Sequence, residues 1–409
     1  MKILFACHRV PYPPKRGGKI RPFNIIRHFT EQGHRVTVAS LARTQNEADE
    51  AADLTKHCEA ALVEVIPDHV AWPRMVAWLP TPSPSSFAYF HSPRLAQRVN
   101  AALADGSFDM VFAHCSSAAP YVARARVGLK VIDYGDMDSQ KWREYVAYKP
   151  FPLSMGFRLE AAKLERAERS LARQFDLCTC TTRAELQSLR DLGVTTPSDW
   201  FPNGVDGTFF APEKDYDADL VAFIGRMDYY PNQQAVTMFC RDVLPKLQAR
   251  RPTARFQIVG AEPPELIRAL GKLPGVSVTG SVPDVRGYIT RAALTVAPLA
   301  IARGTQNKIL ESMAMGVPVV CSVEASGGVD AVAGEHLLVA RNPDEYVAAV
   351  SRVLESREER ARLAAAGRAR VLSHHVWQSS LVRLDGIIEE ALKRRAAGKK
   401  TSTSTSLAA

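Results

Sequence analysis

The 409-residue chain lacks any C-x-x-C pair, any run of about 20 apolar residues and any basic face spread along its body, and each absence removes a class of protein. Its seven cysteines (Cys7, Cys58, Cys115, Cys178, Cys180, Cys240, Cys321) are odd in number, and most sit within apolar runs. They are expected to be small core residues in a reducing compartment, and no zinc set is expected. Without a long apolar stretch, nothing is expected to span a bilayer. The few apolar residues ahead of His8 and Arg9 are too short for the core of a signal peptide, so the expected location is cytoplasmic. What remains is an ordinary globular composition, 46% hydrophobic and 23% charged, long enough for two or three domains with their own cores.

The formal net charge of +9 is unevenly placed. Residues 1–35 hold eight Lys or Arg against the single acid Glu31, residues 393–409 hold five against none, and the body between is slightly acidic. A nucleic-acid binder would spread its cations over a folded face, so no nucleic-acid partner is expected. The basic Ser/Thr-rich stretch at 397–409 has the composition of a disordered tail.

Short apolar or β-branched runs alternate with helical patterns throughout, which predicts parallel sheets built from βα units. Strands are expected at 2–7, 35–40, 61–66, 109–113, 129–133 and 176–181, then at 219–224, 255–259, 276–279, 293–297 and 317–321. Phe201-Pro202-Asn203-Gly204 punctuates the chain between the two sets. The reading is two doubly wound α/β domains, 1–200 and 201–374, facing across a cleft. A helix at 375–396 follows, packing back on the first domain.

Three turns carry candidate chemistry. Gly17 and Gly18 follow the first strand and precede a helix, so backbone N–H groups there can approach an anion closely. Gly225-Arg226 ends a second-domain strand, where a guanidinium can hold a phosphate bidentately or simply pair with a surface acid. Small and polar residues Gly304, Thr305, Gln306 and Asn307 open a third helix. Lys308 stands beside their free N–H groups, and Glu311 lies in an otherwise apolar stretch.

The segments Phe108–His114, Pro202–Asp206, Ile224–Arg226 and Lys308–Val320, with the Gly17-Gly18 loop, resemble retaining glycosyltransferases of the two-Rossmann (GT-B) architecture, family 4. Asp133–Trp142 is similar to sugar transferases associated with exosortase and exopolysaccharide loci. The resemblance implies a nucleotide-diphosphate-sugar donor, commonly a UDP-sugar, and no metal or other cofactor. Glu311 would hold the ribose hydroxyls, Arg226 and the N–H groups of residues 304–307 the diphosphate, and Gly17 and Gly18 would approach from the first domain. Two positions depart from the family pattern. Arg303 stands where a Glu usually contacts the donor sugar, and Pro231-Asn232 where a second phosphate-binding Lys is usual; Lys308 is expected to supply that charge. UDP-sugar 2-epimerases and a non-catalytic nucleotide-sugar scaffold share the architecture and are the alternatives.

In the first domain His114, Asp136 and Asp138 stand at or just past strand carboxyl ends and are the catalytic-side candidates, with helix capping the competing role for the two carboxylates. The implied acceptor is a glycan or polyprenyl-linked sugar of bacterial cell-surface polysaccharide synthesis. The Pro-rich segment 67–93, with Trp72, Trp78, Phe87, Tyr89 and Phe90, reads as a loop. Beside the basic amino terminus it suggests contact with an anionic inner-membrane surface.

Overall fold

The computed structural model describes residues 1–14, 17–212 and 215–406, with side chains to 397. It divides into two compact units, one of residues 1–201 with 381–409 and one of residues 202–380. Every strand pairing is parallel, as alternating βα units require.

The first unit holds β1 (Lys2–Cys7), β2 (Arg35–Ala42), β3 (Ala60–Val65), β4 (Met110–His114), β5 (Leu129–Gly135), β6 (Leu177–Cys180) and β7 (Ser198–Trp200), in the order β3-β2-β1-β4-β5-β6-β7. The near-continuous apolar runs in β1 and β4 are buried on both faces, as a sheet covered by helices demands. Strand order reverses between β1 and β4. Ligands of open α/β sheets bind outside the carboxyl ends at such a switch, which here is His8 and His114.

The second unit holds β8 (Asp217–Ile224), β9 (Arg255–Val259), β10 (Val276–Val278), β11 (Ala292–Ala297), β12 (Val319–Cys321) and β13 (Leu338–Val339), in the order β10-β9-β8-β11-β12-β13. Its switch lies between β8 and β11, where Gly225-Arg226 and the 298–306 loop emerge. Gly204 closes the start of this unit: a Cβ there would meet the Trp377 backbone nitrogen at 2.4 Å, and Val205 N donates to His375 O at 2.7 Å.

Three elements differ from the expectation. The Pro-rich stretch at 67–93 forms two short helices, Asp68–Ala77 and Ser85–Tyr89: Pro67 and Pro84 directly precede the helix starts, Pro80 and Pro82 lie between, and only Pro73 falls inside one of them. β7 and β13 are too short to show periodicity. The last helix, Trp377–Ser406, continues past 396, where a disordered tail is expected. From 398 on, its side chains lie outside the described residues. In the first unit this helix is tied down by His28–Asp385 (2.8 Å) and by Arg395 on Asp176.

Candidate active site

At the first switch point the chemistry is buried. His114 ends β4, and its Nδ1 lies 2.8 Å from Asp133 Oδ2 on β5. Arg21, from the helix Gly17–Glu31, bonds the same carboxylate through Nε (2.8 Å) and Nη2 (2.9 Å), and Thr179 Oγ1 on β6 donates to Oδ1 at 2.9 Å. Burial alone would raise the Asp133 pKa. Arg21 and His114 outweigh it and hold the carboxyl well below the usual carboxylate range. Arg21 in turn donates to Phe201 O at 3.0 Å and lies 3.6 Å from the Phe201 ring. The network fixes the orientation of His114 and directs its other ring nitrogen away from Asp133.

His8, just past β1, stacks beside His114 with ring centroids 6.4 Å apart. Burial, then the neighbouring Arg9, pushes its pKa well below the ordinary value, so it is a neutral imidazole at physiological pH. Its Nδ1 is buried without a hydrogen-bond partner.

Asp136 and Asp138, expected as a pair, are separated in environment. Asp136 is exposed and accepts from Thr181 Oγ1 at 2.7 Å. Asp138 begins the helix Asp138–Tyr145 and accepts from Ser116 Oγ at 2.8 Å. Neither caps that helix. Its first N–H groups go to glutamates from other helices, Met137 N to Glu185 (2.7 Å) and Ser139 N to Glu168 (3.1 Å). Burial raises the Asp138 pKa, with Lys141 and Ser116 opposing. Gly17 and Gly18 are exposed and open their helix; Lys15 and Arg16 of the same turn lie outside the described residues.

The second switch point is assembled differently. Gly304 has φ +61°, a left-handed conformation that favours glycine, and leads into the helix Asn307–Ala314. No side chain caps that helix: Gln306 Nε2 turns back to Arg303 O (3.0 Å), which leaves the first helical amides to meet an anion. Thr305 Oγ1 is buried without a partner. Lys308 Nζ donates to Asn232 Oδ1 at 2.7 Å, Asn232 Nδ2 donates to Arg226 O at 2.7 Å, and the amine lies 4.3 Å from the Phe223 ring centroid. A Cβ on Gly225 would come within 3.0 Å of Lys308 Nζ and 2.8 Å of Asn232 Nδ2. Lys308, Asn232 and the Gly225 turn therefore form one cradle, with the lysine beside the Pro231-Asn232 step where the sequence resemblance leads one to expect a second lysine.

Burial pulls the Lys308 pKa down to about 7, with Glu311 opposing, and pushes that of Glu311 up to about 7, with Lys308 opposing. Glu311 makes no hydrogen bond or ion pair among the described residues. Arg226 pairs with Asp228 (2.8 Å) and Glu262 (2.5 Å) through Nε and Nη2, so in this structure its charge is shared with two surface acids. Asn307 Oδ1 accepts from Asn203 at 3.4 Å, which joins the Pro202-Asn203-Gly204 motif to the same helix start.

Arg21, Asp133 and His8 are not singled out as site residues by the sequence, and Asn232 stands out only as a departure from the family pattern. A charged residue inside the apolar run Val131-Ile132-Asp133-Tyr134 was the available signal, since an unpaired carboxylate is not tolerated there.

Two family models match consecutive parts of the chain: Glycosyltransferase Family 4 over 16–209 and Glycosyl transferases group 1 over 218–356. A D-inositol 3-phosphate glycosyltransferase of Nocardiopsis dassonvillei is 28% identical over 63% of this chain and 65% of its own length. The match thus spans a little less than two thirds of that curated relative. Among solved structures, sucrose-phosphate synthase from Thermosynechococcus elongatus superposes with a TM-score of 0.74 at 16% identity, covering 96% of this chain and 99% of that one. HepE of Anabaena, solved in complex with UDP and glucose, gives 0.68 at 16% identity, covering 95% and 100%. At these identities the likeness speaks for the architecture, which is GT-B.

Proposed function

We propose, for a chain that belongs to the GT-B glycosyltransferases, with a family 4 domain followed by a group 1 domain, that it moves a sugar from a nucleotide-diphosphate donor to a glycan or lipid-linked acceptor with retention of configuration. The observation that carries this reading is the second-unit cradle. Lys308, held by Asn232 against the Gly225 turn, stands beside an uncapped helix start and half a turn or more from an unpaired Glu311.

The lysine and the helix amides supply positive charge for a diphosphate, and Glu311 accepts from the ribose hydroxyls. Uridine is the favoured base, since HepE was solved with UDP. As the glycosidic bond breaks, negative charge grows on the departing diphosphate. Preorganised donors there are worth on the order of 3–4 kcal/mol each, so leaving-group stabilisation is the larger protein contribution. This charge neutralisation is the part a metal cation plays in other enzymes, and no metal or other cofactor is included in the proposal. In the first unit, His114 offers the ring nitrogen that Asp133 leaves unbonded, and Asp136 and Asp138 offer carboxylates near an acceptor hydroxyl. Exopolysaccharide or cell-surface polysaccharide synthesis, on the cytoplasmic side of an anionic membrane, is the setting that suits a lipid-linked acceptor.

The test is a thermal-shift panel of UDP, GDP, ADP and CMP on wild type and Glu311→Ala, followed by UDP release from UDP-sugars. A ligand at 100 times its dissociation constant adds about 2.7 kcal/mol. A shift with one diphosphate that disappears in Glu311→Ala is the expected result. Absence of any shift overturns the donor site, and binding without release from any donor–acceptor pair reduces the chain to a scaffold.

A further inference from the structure

The expected source of membrane attraction, the basic amino terminus, is largely used inside its own unit. Lys19 pairs with Glu47 (2.7 Å), Arg21 with Asp133, Arg27 with Glu31 (3.6 Å), Arg35 with Glu59, and Lys2 bonds Ser107 Oγ (2.5 Å). Arg9 sits over the Phe90 ring. What the first unit exposes is apolar instead.

On the helix Leu153–Ala172, Met155 is 62% and Leu159 50% exposed, four residues apart and so on one helical stripe, with Leu153 also exposed; Phe151, 77% exposed, stands in the turn just ahead of the helix. On the helix Asp68–Ala77, Trp72 and Val76 repeat the same four-residue spacing, and Leu79 follows. A monomeric soluble protein scatters its exposed apolar side chains singly, and this many on two adjoining stripes marks a contact surface.

The two stripes are held together by buried polar groups. Glu160 accepts from Ser85 N (3.0 Å) and from Ser86 N and Oγ (both 2.9 Å). Lys163 Nζ donates to Leu79 O at 2.7 Å. Both side chains are almost fully buried, so the inward face of the long helix clamps the 79–86 chain while the outward stripe stays in solvent. Behind the ridge, Phe157 packs on Trp142 (centroids 4.9 Å apart) and Tyr145.

The surrounding charge is positive on balance, with Asp68 at the start of the helix Asp68–Ala77 and Glu165, paired with Arg143, as nearby acids. Residues 141–159 hold Lys141, Arg143, Lys149 and Arg158 against Glu144, and residues 69–94 hold Arg74 and Arg94 with no acid. Arg158, exposed on the ridge itself, makes no hydrogen bond or ion pair among the described residues. We infer that the Phe151–Leu159 ridge, with Trp72, Val76 and Leu79, is the surface by which this protein docks on an anionic lipid bilayer, lying in the interface. Aromatic and aliphatic tips enter the headgroup–acyl boundary while the cations stay among anionic headgroups. No helix among the described residues is long and apolar enough to cross a membrane, so the contact is interfacial. The inference deepens the membrane setting proposed above and rests on it.

The experiment is sedimentation with vesicles of phosphatidylethanolamine and phosphatidylglycerol, beside vesicles of phosphatidylcholine alone. The samples are wild type, Phe151→Glu/Met155→Glu and Arg158→Glu, each also measured for melting temperature, UDP-induced shift and molar mass. The expected result is binding of wild type to anionic vesicles only, a loss of at least tenfold in the double variant and about fivefold in Arg158→Glu. Melting and UDP response should not change. If the double variant binds as wild type does, the ridge is the wrong surface and the membrane setting survives. If wild type binds no vesicle, both fall, while an intact UDP shift leaves the donor site standing. A dimer that dissolves in the double variant, without vesicle binding, assigns the ridge to self-association and overturns the lipid.

Discussion

The two switch points treat their charged groups in opposite ways. In the first unit Asp133 receives Arg21, His114 and Thr179, so a buried carboxylate is fully ionised and its partners are locked. In the second unit Lys308 has only a neutral amide as its hydrogen-bond partner, Glu311 has none, and both are pushed toward their neutral forms. A network that satisfies itself contributes to folding and to geometry. Groups held half-buried with no ion pair, and only each other's charge nearby, cost folding energy that a charged ligand can return. The first site is therefore expected to fail as structure when broken, and the second as binding.

The largest effect should come from Asp133→Asn. It keeps the shape but leaves the Arg21 guanidinium buried without its counter-charge, at a cost of about 3–5 kcal/mol. Melting should fall by about 10 °C or more. Since the folded pKa of Asp133 is depressed, its stabilisation is complete above the unfolded value of about 4 and is lost as pH falls below it. Wild type should therefore lose more stability in acid than the variant does, as pH-dependent denaturation curves would show.

Lys308→Ala should do the reverse. UDP affinity should drop about 10- to 100-fold, the worth of one charge-assisted hydrogen bond, with melting unchanged or raised because a half-buried amine is removed. Calorimetric titration beside a melting curve separates the two readouts; an equal loss of stability would erase the contrast between the sites.

Proton linkage sharpens the comparison further. With its pKa near 7 before binding, Lys308 is mostly neutral at pH 8, and a diphosphate must draw in about one proton to charge it. UDP affinity should then fall as pH rises from 7 to 9, by up to about tenfold per unit. Titrations in buffers of different ionisation enthalpy should report the proton uptake, and Lys308→Ala should abolish it. The smallest effect is expected from Gly225→Ala. The added methyl would press on Asn232 and Lys308, both able to shift at their tips, so affinity should weaken less than tenfold with folding intact.

Much of this architecture is legible in the chain. The apolar runs that become β1, β4, β5, β8 and β11 stand where expected, because a strand buried on both faces needs continuous hydrophobicity and little else. The helix opening at Asn307 is legible for a similar local reason, since Gly304 and the polar residues after it signal a turn. β7 and β13, two or three residues each, carry too little pattern to be seen. In the site, Lys308 and Glu311 are recognisable from their neighbours in sequence. Asn232 is recognisable only as a departure from a family pattern, and its bond to Lys308 links residues 76 positions apart.

By itself the sequence determined the succession of βα units, the position of both switch-point turns and the residue types that stand in them, because these depend on patterns a few residues long. Tertiary structure alone decided which charges meet. Arg21 and Asp133 lie 112 residues apart, and their pairing turns a cationic amino-terminal segment into an internal structural element. It also decided that Phe151, just ahead of the helix Leu153–Ala172, and Met155 and Leu159 on it face outward while Glu160 and Lys163 on the same helix face inward. Burial is a property of packing against distant segments, and hydrophobicity read along the chain assigns those five residues to the opposite sides.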